Sequence, residues 1–388
     1  MTIFEVTARP FGRMFRGGGE RYPLEIAREL SKREEVVFAS IQDRRDAPVR
    51  GVTAASLAGW SLTAPPLFSE LNPIPTLSTF VQIKELLNAH ARDLEFIHVH
   101  NLRTASTASW LAMATSHPSR SRFRILLTDH GARFMPFPRR WARRIDFYAA
   151  VSKYSLHQLQ SWARRPGMVV PVFVANALLD LSNRMKGEER DIDLLYMGRL
   201  LPWKRADLLL ELIPKIEDIL GRGIRVTIAG SPSDPAYLAR LRSLAERRAS
   251  RSRVDFVLSP DDAAVAGLYA QSRLFALLST RTDPDGGRVP VPELAPFTPI
   301  EAAAFGTPSV VSAIPGLDEQ VQADRTGLLV EPEQLDATAA QVASILSDES
   351  RWNELSRNAS AFVRTERTAD AVARLLESYL DRIRRGEA

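Results

Sequence analysis

Four side chains in the second half of the chain could grip a phosphorylated, hydroxyl-rich ligand. Arg199 and Lys204 lie in MGRLLPWKRADLLL, residues 197–210, where an apolar run ends, Gly198 permits a tight exit and a helical pattern follows. Two cations in a loop that opens a helix can hold a diphosphate, because the helix amino terminus adds its own positive end. Glu293 and Glu301 flank seven residues in ELAPFTPIEAAAFGTPSVVS, residues 293–312. A carboxylate can accept hydrogen bonds from both hydroxyls of a vicinal diol. Glu301, at the start of a small-residue helix, therefore suits a ribose, and Glu293 suits the hydroxyls of a sugar. Basic residues are common in strand-to-helix loops, and a Glu at a helix start also answers the macrodipole. Neither point explains Glu293 or the sharp stop at Gly306 and Pro308. His98 and His100 share one face of a strand, as two metal ligands would. No third ligand is apparent, so they read as structural histidines. On its residues alone His130, in LLTDHG, is an ordinary loop histidine.

These residues must be positioned by something larger. A chain of 388 residues exceeds the size at which one core keeps growing, so two domains are expected. Short β-rich runs alternate with helical patterns, which predicts an α/β fold with parallel sheets. In the first half the strands are read at 36–41, 96–99, 125–128 and 148–152, with helices at 22–32 and 79–91 between them. In the second half they are read at 192–197, 225–229, 254–258, 274–278, 309–312 and 327–330, separated by five helical patterns. The polar stretch 176–191, containing LSNRMKGEER, is the linker candidate, and residues 370–385 form an amphipathic helix. Ligands of doubly wound folds sit at the carboxyl ends of the strands, which points to a cleft between the halves.

Composition narrows the classes. A 45% hydrophobic and 25% charged chain is an ordinary globular one. With no cysteine there is no disulfide, thiolate metal site or thiol nucleophile. The start, MTIFEVTARPFG, lacks a basic segment followed by an apolar core, and no run approaches the ~18 apolar residues of a membrane span. A cytoplasmic protein with at most peripheral contact at the inner membrane face is expected. The formal charge is +5, and basic residues concentrate between Arg120 and Arg165, with Arg133, Arg139 and Arg140 among them. That stretch is either a solvated face or a surface for an anionic partner such as phospholipid. FMPFPRRWARRIDFY, which includes Trp141 and Ile145, is either a membrane-surface helix or one packed on its own sheet.

Taken in order, these pieces resemble the retaining glycosyltransferases of GT-B architecture, specifically family 4, whose carboxyl-terminal domain is called glycosyl transferases group 1. GGGERYPLEIARELSKR, FIHVHN, LLTDHG and FYAAVS match the first half of that family. GRLLPWK, VTIAGS, the Glu-x7-Glu segment, PGLDEQV and TGLLVEP match the second. The resemblance implies two Rossmann-like doubly wound domains facing across a cleft. The boundaries would be 1–180 for an acceptor-binding domain, 190–367 for a nucleotide-sugar domain, and 368–388 for a terminal helix returning to the first. It implies that Arg199 and Lys204 neutralise the donor diphosphate, so that no metal or other cofactor is needed. Glu301 would hold the ribose, Glu293 the donor sugar, and Gly17 and Gly18 would let backbone amides approach. His130 would lie near the sugar and the acceptor. The donor would be a nucleotide-diphosphate sugar and the acceptor a lipid, a glycan or a small molecule, with no nucleic acid involved.

The sequence departs from the family at four places. Ala295 and Pro296 replace a Phe-Gly pair after the first Glu, and Pro offers no N–H to a sugar. Arg205 and Pro315 stand where glycines are usual, and TRTDPDGGRVPVP is inserted before Glu293 as a candidate flexible lid or accessory loop. Two rivals keep the fold, or only the binding: a sugar-nucleotide epimerase or phosphorylase, and a non-catalytic protein that binds a nucleotide or anionic lipid.

Overall fold

Runs of buried β-branched and aromatic residues build two parallel sheets, each with helices on its faces. The computed structural model describes residues 2–7, 18–40, 53–56, 77–100, 105–130, 143–291 and 293–388. The chain divides into two compact units, residues 1–172 with 369–388, and residues 173–368.

The first sheet comprises β1 (Thr2–Thr7), β2 (Glu35–Ser40), β3 (Thr53–Ser56), β4 (Leu94–His100), β5 (Arg124–Thr128), β6 (Phe147–Ala150) and β7 (Gly167–Val169). Their order is β3-β2-β1-β4-β5-β6-β7, so the winding reverses between β1 and β4. Phe4, Val6, Ile97, Val99, Ile125 and Leu127 project from one side of this sheet into a core shared with Trp110 and Leu111. The opposite side carries Glu5, His98 and His100, all buried. The terminal helix Ala369–Arg384 packs on the first helix, Gly18–Leu30. It buries Val372, Ala373, Leu376, Tyr379, Leu380 and Ile383, and Arg33 binds Glu377 and Asp370.

The second sheet comprises β8 (Ile192–Met197), β9 (Arg225–Gly230), β10 (Arg253–Leu258), β11 (Ser272–Leu277), β12 (Ser309–Ser312) and β13 (Gly327–Val330). Their order is β10-β9-β8-β11-β12-β13, with the reversal between β8 and β11. Strands covered on both faces read as continuous apolar runs, and every residue of β8 is buried.

Three strands were not among those expected. β1 carries a charge at Glu5, and β3 and β7 are short. The stretch expected to link the units begins instead with a helix, Asn176–Arg184, inside the second unit. Asp180, Asn183 and Arg184 face outward while Leu178 and Ser182 are buried. The segment inserted before Glu293 carries a closed turn. Asp283 accepts from the amides of Asp285 and Gly287, and Thr282 bridges Arg288 across the turn. Among the described residues no helix is long and apolar enough to cross a membrane.

Candidate functional site

The carboxyl ends of β8 and β11 flank the reversal of the second sheet, where a doubly wound fold leaves room for a ligand. The chain leaves β8 through Gly198, whose amide donates to the Ala229 carbonyl at 3.0 Å. The backbones here nearly touch. A Cβ on Gly230, at φ 144°, would lie 1.7 Å from the Gly198 carbonyl, so only glycine fits. Arg199 follows, exposed, with no carboxylate partner among the described residues. Tyr196 Oη donates to the Arg199 carbonyl at 2.9 Å and fixes the turn. Burial, followed by the Glu293 charge, holds that phenol well above its ordinary pKa, so it stays a donor.

A short 3₁₀ turn, Pro202–Lys204, then delivers Lys204. Its ammonium donates to Glu293 Oε1 at 2.5 Å. Ser279, just past β11, donates to the same oxygen at 2.9 Å. The Thr280 amide donates to the Trp203 carbonyl at 3.1 Å, which joins the loops after β8 and β11. The structure therefore brings Lys204 and Glu293 into contact, 89 residues apart in sequence.

Arg205 shows why this loop keeps its shape. It takes the left-handed conformation, φ 52° and ψ 45°, which explains a glycine preference at this place. The guanidinium makes up the strain with a buried network: Nε reaches Asp207 at 3.1 and 3.2 Å, and one terminal nitrogen reaches Thr280 Oγ1 at 3.1 Å. Tyr237 Oη donates to Asp207 at 2.7 Å. The signal missed in the sequence was the Arg-x-Asp pair directly after the lysine.

Glu301 sits in the first turn of the helix Thr298–Ala304 and accepts from Tyr269 Oη at 3.1 Å. Burial, with the Glu301 charge second, keeps that phenol protonated. Ala295 and Pro296 are half-buried beside Glu293. Gly316, at φ 90°, presses against this segment, since a Cβ there would meet the Leu294 carbonyl at 2.5 Å.

The other expected site residues belong to the first unit. Gly18 opens the helix Gly18–Leu30, and Gly17 lies outside the described residues, as do Arg133, Arg139, Arg140 and Trp141. Of the basic stretch, Arg120 pairs with Asp146 at 2.7 Å, and Arg165 donates to the Arg143 carbonyl at 2.7 Å. His130 follows β5, and its Nε2 lies 2.9 Å from His100 Nδ1. The expectation that His98 and His100 have no third ligand-bearing neighbour needs correction. Glu5 stands opposite His98 in the parallel register, and its carboxylate reaches both rings, at 3.0 Å to His98 and 2.6 Å to His100. The strand TIFEVT was missed because a carboxylate in its middle reads as solvent-facing.

Two families match this chain: Glycosyltransferase Family 4 over residues 16–178 and Glycosyl transferases group 1 over residues 182–362. A D-inositol 3-phosphate glycosyltransferase of Corynebacterium glutamicum is 28% identical over 190 residues, 48% of this chain. The match spans 43% of that relative's length. A glycosyltransferase of Rickettsia africae superposes with a TM-score of 0.69 at 17% identity, covering 98% of both chains. Anabaena HepE, solved with UDP-glucose, superposes with a TM-score of 0.63 at 17% identity, covering 98% of this chain and 99% of that one. At such identities the structural likeness carries the fold alone.

Proposed function

The chain belongs to glycosyltransferase family 4, with a glycosyl transferases group 1 unit and the GT-B fold, and on that premise we propose that it transfers a sugar from a nucleoside-diphosphate sugar to a hydroxyl acceptor. The observation that carries this reading is the meeting of Lys204, Glu293 and Ser279 at the reversal of the second sheet, beside an exposed Arg199. A diphosphate leaving group gains negative charge as the glycosidic bond breaks. Cations already in place stabilise that charge more in the transition state than in the bound donor. Lys204 has three N–H donors, so it can keep Glu293 and still donate to a phosphate oxygen. Arg199 supplies the second cation, and the pair is proposed to make a metal unnecessary. Glu293, oriented by Lys204 and Ser279, would bind hydroxyls of the transferred sugar. Glu301, steadied by Tyr269, would accept the ribose hydroxyls. Transfer is proposed to retain the anomeric configuration by same-face attack, the departing phosphate taking the acceptor proton. His130 would meet the sugar or the acceptor from the first unit.

The Corynebacterium relative is named a D-inositol 3-phosphate glycosyltransferase, and a phosphorylated polyol is the first acceptor to try here. A cytoplasmic chain that touches an anionic membrane surface is the accompanying proposal. The test measures nucleotide release from UDP-, GDP- and ADP-sugars with inositol phosphates and with anionic vesicles carrying lipid acceptors. Turnover with at least one donor is expected. Donor binding without turnover would identify a binding protein, and no binding to any donor would overturn the reading. Glu301→Ala should weaken nucleotide binding about tenfold, whereas Glu293→Ala should mainly lower kcat. Equal loss of donor affinity in both variants would contradict the separate roles.

A further inference from the structure

Beneath the first helix an unbroken polar chain runs through the core of the first unit. Thr128 Oγ1 lies 2.7 Å from His98 Nε2, His98 Nδ1 lies 3.0 Å from Glu5 Oε1, Glu5 Oε2 lies 2.6 Å from His100 Nε2, and His100 Nδ1 lies 2.9 Å from His130 Nε2. Glu5, His98 and His100 are 0%, 2% and 0% exposed, so the chain is sealed until it reaches His130. The parallel register creates it, setting Glu5 opposite His98 and Thr128 opposite His100.

The order of donors along this chain is forced. Burial opposes the Glu5 charge, but His98 and the bonds from both imidazoles hold its carboxyl down at about 2. An ionised carboxylate only accepts, so His98 Nδ1 and His100 Nε2 must each carry a proton. Burial, with the neighbouring His98 second, pushes His100 down to about 4, so near neutral pH it has one N–H and that one is spent on Glu5. Its Nδ1 is then an acceptor, and the proton between His100 and His130 belongs to His130 Nε2. A carboxylate in the core thereby selects a tautomer two hydrogen bonds away.

We infer that Glu5 and His100 are positioning residues that hold His130 as its Nε2–H tautomer. Tyr22, whose ring centroid lies 4.4 Å from that of His130, limits how the ring can turn. The inference rests on the proposed role of His130 in transfer. The three buried groups also lie close enough together to hold a metal ion. The bonds they already make to one another, to Thr128 and to His130 favour the relay.

The test follows the tautomer directly, by ¹⁵N shifts of the imidazoles in the histidine-labelled full chain near pH 7.5. Wild type should show His130 protonated at Nε2, and His100→Leu should leave His130 a mixture of tautomers. An Nδ1–H His130 in wild type, or the same tautomer in both proteins, would overturn the inference whether or not turnover is found. Where transfer is measured, Glu5→Gln should lower kcat about tenfold to a hundredfold with donor KM unchanged. In a His130→Gln background the same change should have no further effect on kcat. Independent, multiplying losses would overturn it. Stoichiometric metal in the purified chain that disappears in His98→Ala would also overturn it.

Discussion

Lys204 and Glu293 hold one another, and both side chains are largely buried, at 13% and 9% exposure. Such a pair adds little net stability, but removing one partner strands a charge at about 3 kcal/mol. Lys204→Met should therefore lower the urea midpoint of the second unit more than Lys204→Met/Glu293→Gln does. If the double variant is at least as unstable as the single, the ion pair does not hold this loop. The buried cluster around Glu5 makes a second prediction, about acid. Glu5 is lowered from 4.5 to about 2 and His100 from 6.5 to about 4. In both cases the unfolded chain binds more protons than the folded one across the gap, so stability falls as pH falls. The His100 contribution is complete above pH 6.5 and lost toward 4, and that of Glu5 is complete above 4.5 and lost toward 2. Amide exchange in the first unit should accelerate from about pH 6.5 downward after correction for the intrinsic rate. In His100→Leu the upper part of that loss should vanish.

The loop between β8 and the helix Ala206–Leu220 depends on one strained residue. Replacing Arg205 by glycine relieves about 1 kcal/mol of left-handed strain. It also removes charge-assisted bonds worth about 1.5–3 kcal/mol and leaves Asp207 buried with Tyr237 alone. Arg205→Gly should destabilise the second unit by about 2 kcal/mol by chemical denaturation, and a gain in stability would contradict this account. The same loop shows which features the sequence could reveal. Gly198, Lys204 and the apolar run of β8 are local signals, and so are the other strands of the second sheet. The Lys204–Glu293 and Arg205–Thr280 contacts join loops 89 and 75 residues apart, and nothing local encodes them. β1 was hidden because Glu5 breaks the apolar pattern that marks a central strand. The inserted segment reads as a flexible lid or accessory loop from its prolines and glycines, whereas the two amides by which Asp283 closes a turn within it have no such local mark. The helix Asn176–Arg184 escaped notice because only a narrow face, Leu178 and Ser182, is buried.

At the scale of the molecule, the chain enters the second unit at Phe173 and leaves it at Thr368, so the first unit is completed only by the last residues. Their contribution is large. Val372, Leu376, Tyr379, Leu380 and Ile383 are buried along one face of the terminal helix, each worth about 1.5–3 kcal/mol against exposure. Arg384 adds ion pairs to Glu34 at 2.9 Å and Glu95 at 2.8 Å, and Arg33 adds those to Glu377 and Asp370. A gross contribution of about 10 kcal/mol compares with a net stability of about 5–15 kcal/mol for a whole domain. Deleting residues 369–388 should therefore unfold the first unit while leaving the second folded, since the second closes on itself through the Val174 amide and the Arg367 carbonyl at 2.9 Å. Amide exchange reads both halves at once. Protection should vanish in β1, β4 and β5 and persist in β8, β9 and β11. A milder version, Leu376→Ala, should weaken the first unit alone by about 2–5 kcal/mol. Equal loss of protection in both sheets would mean that the two units fold as one.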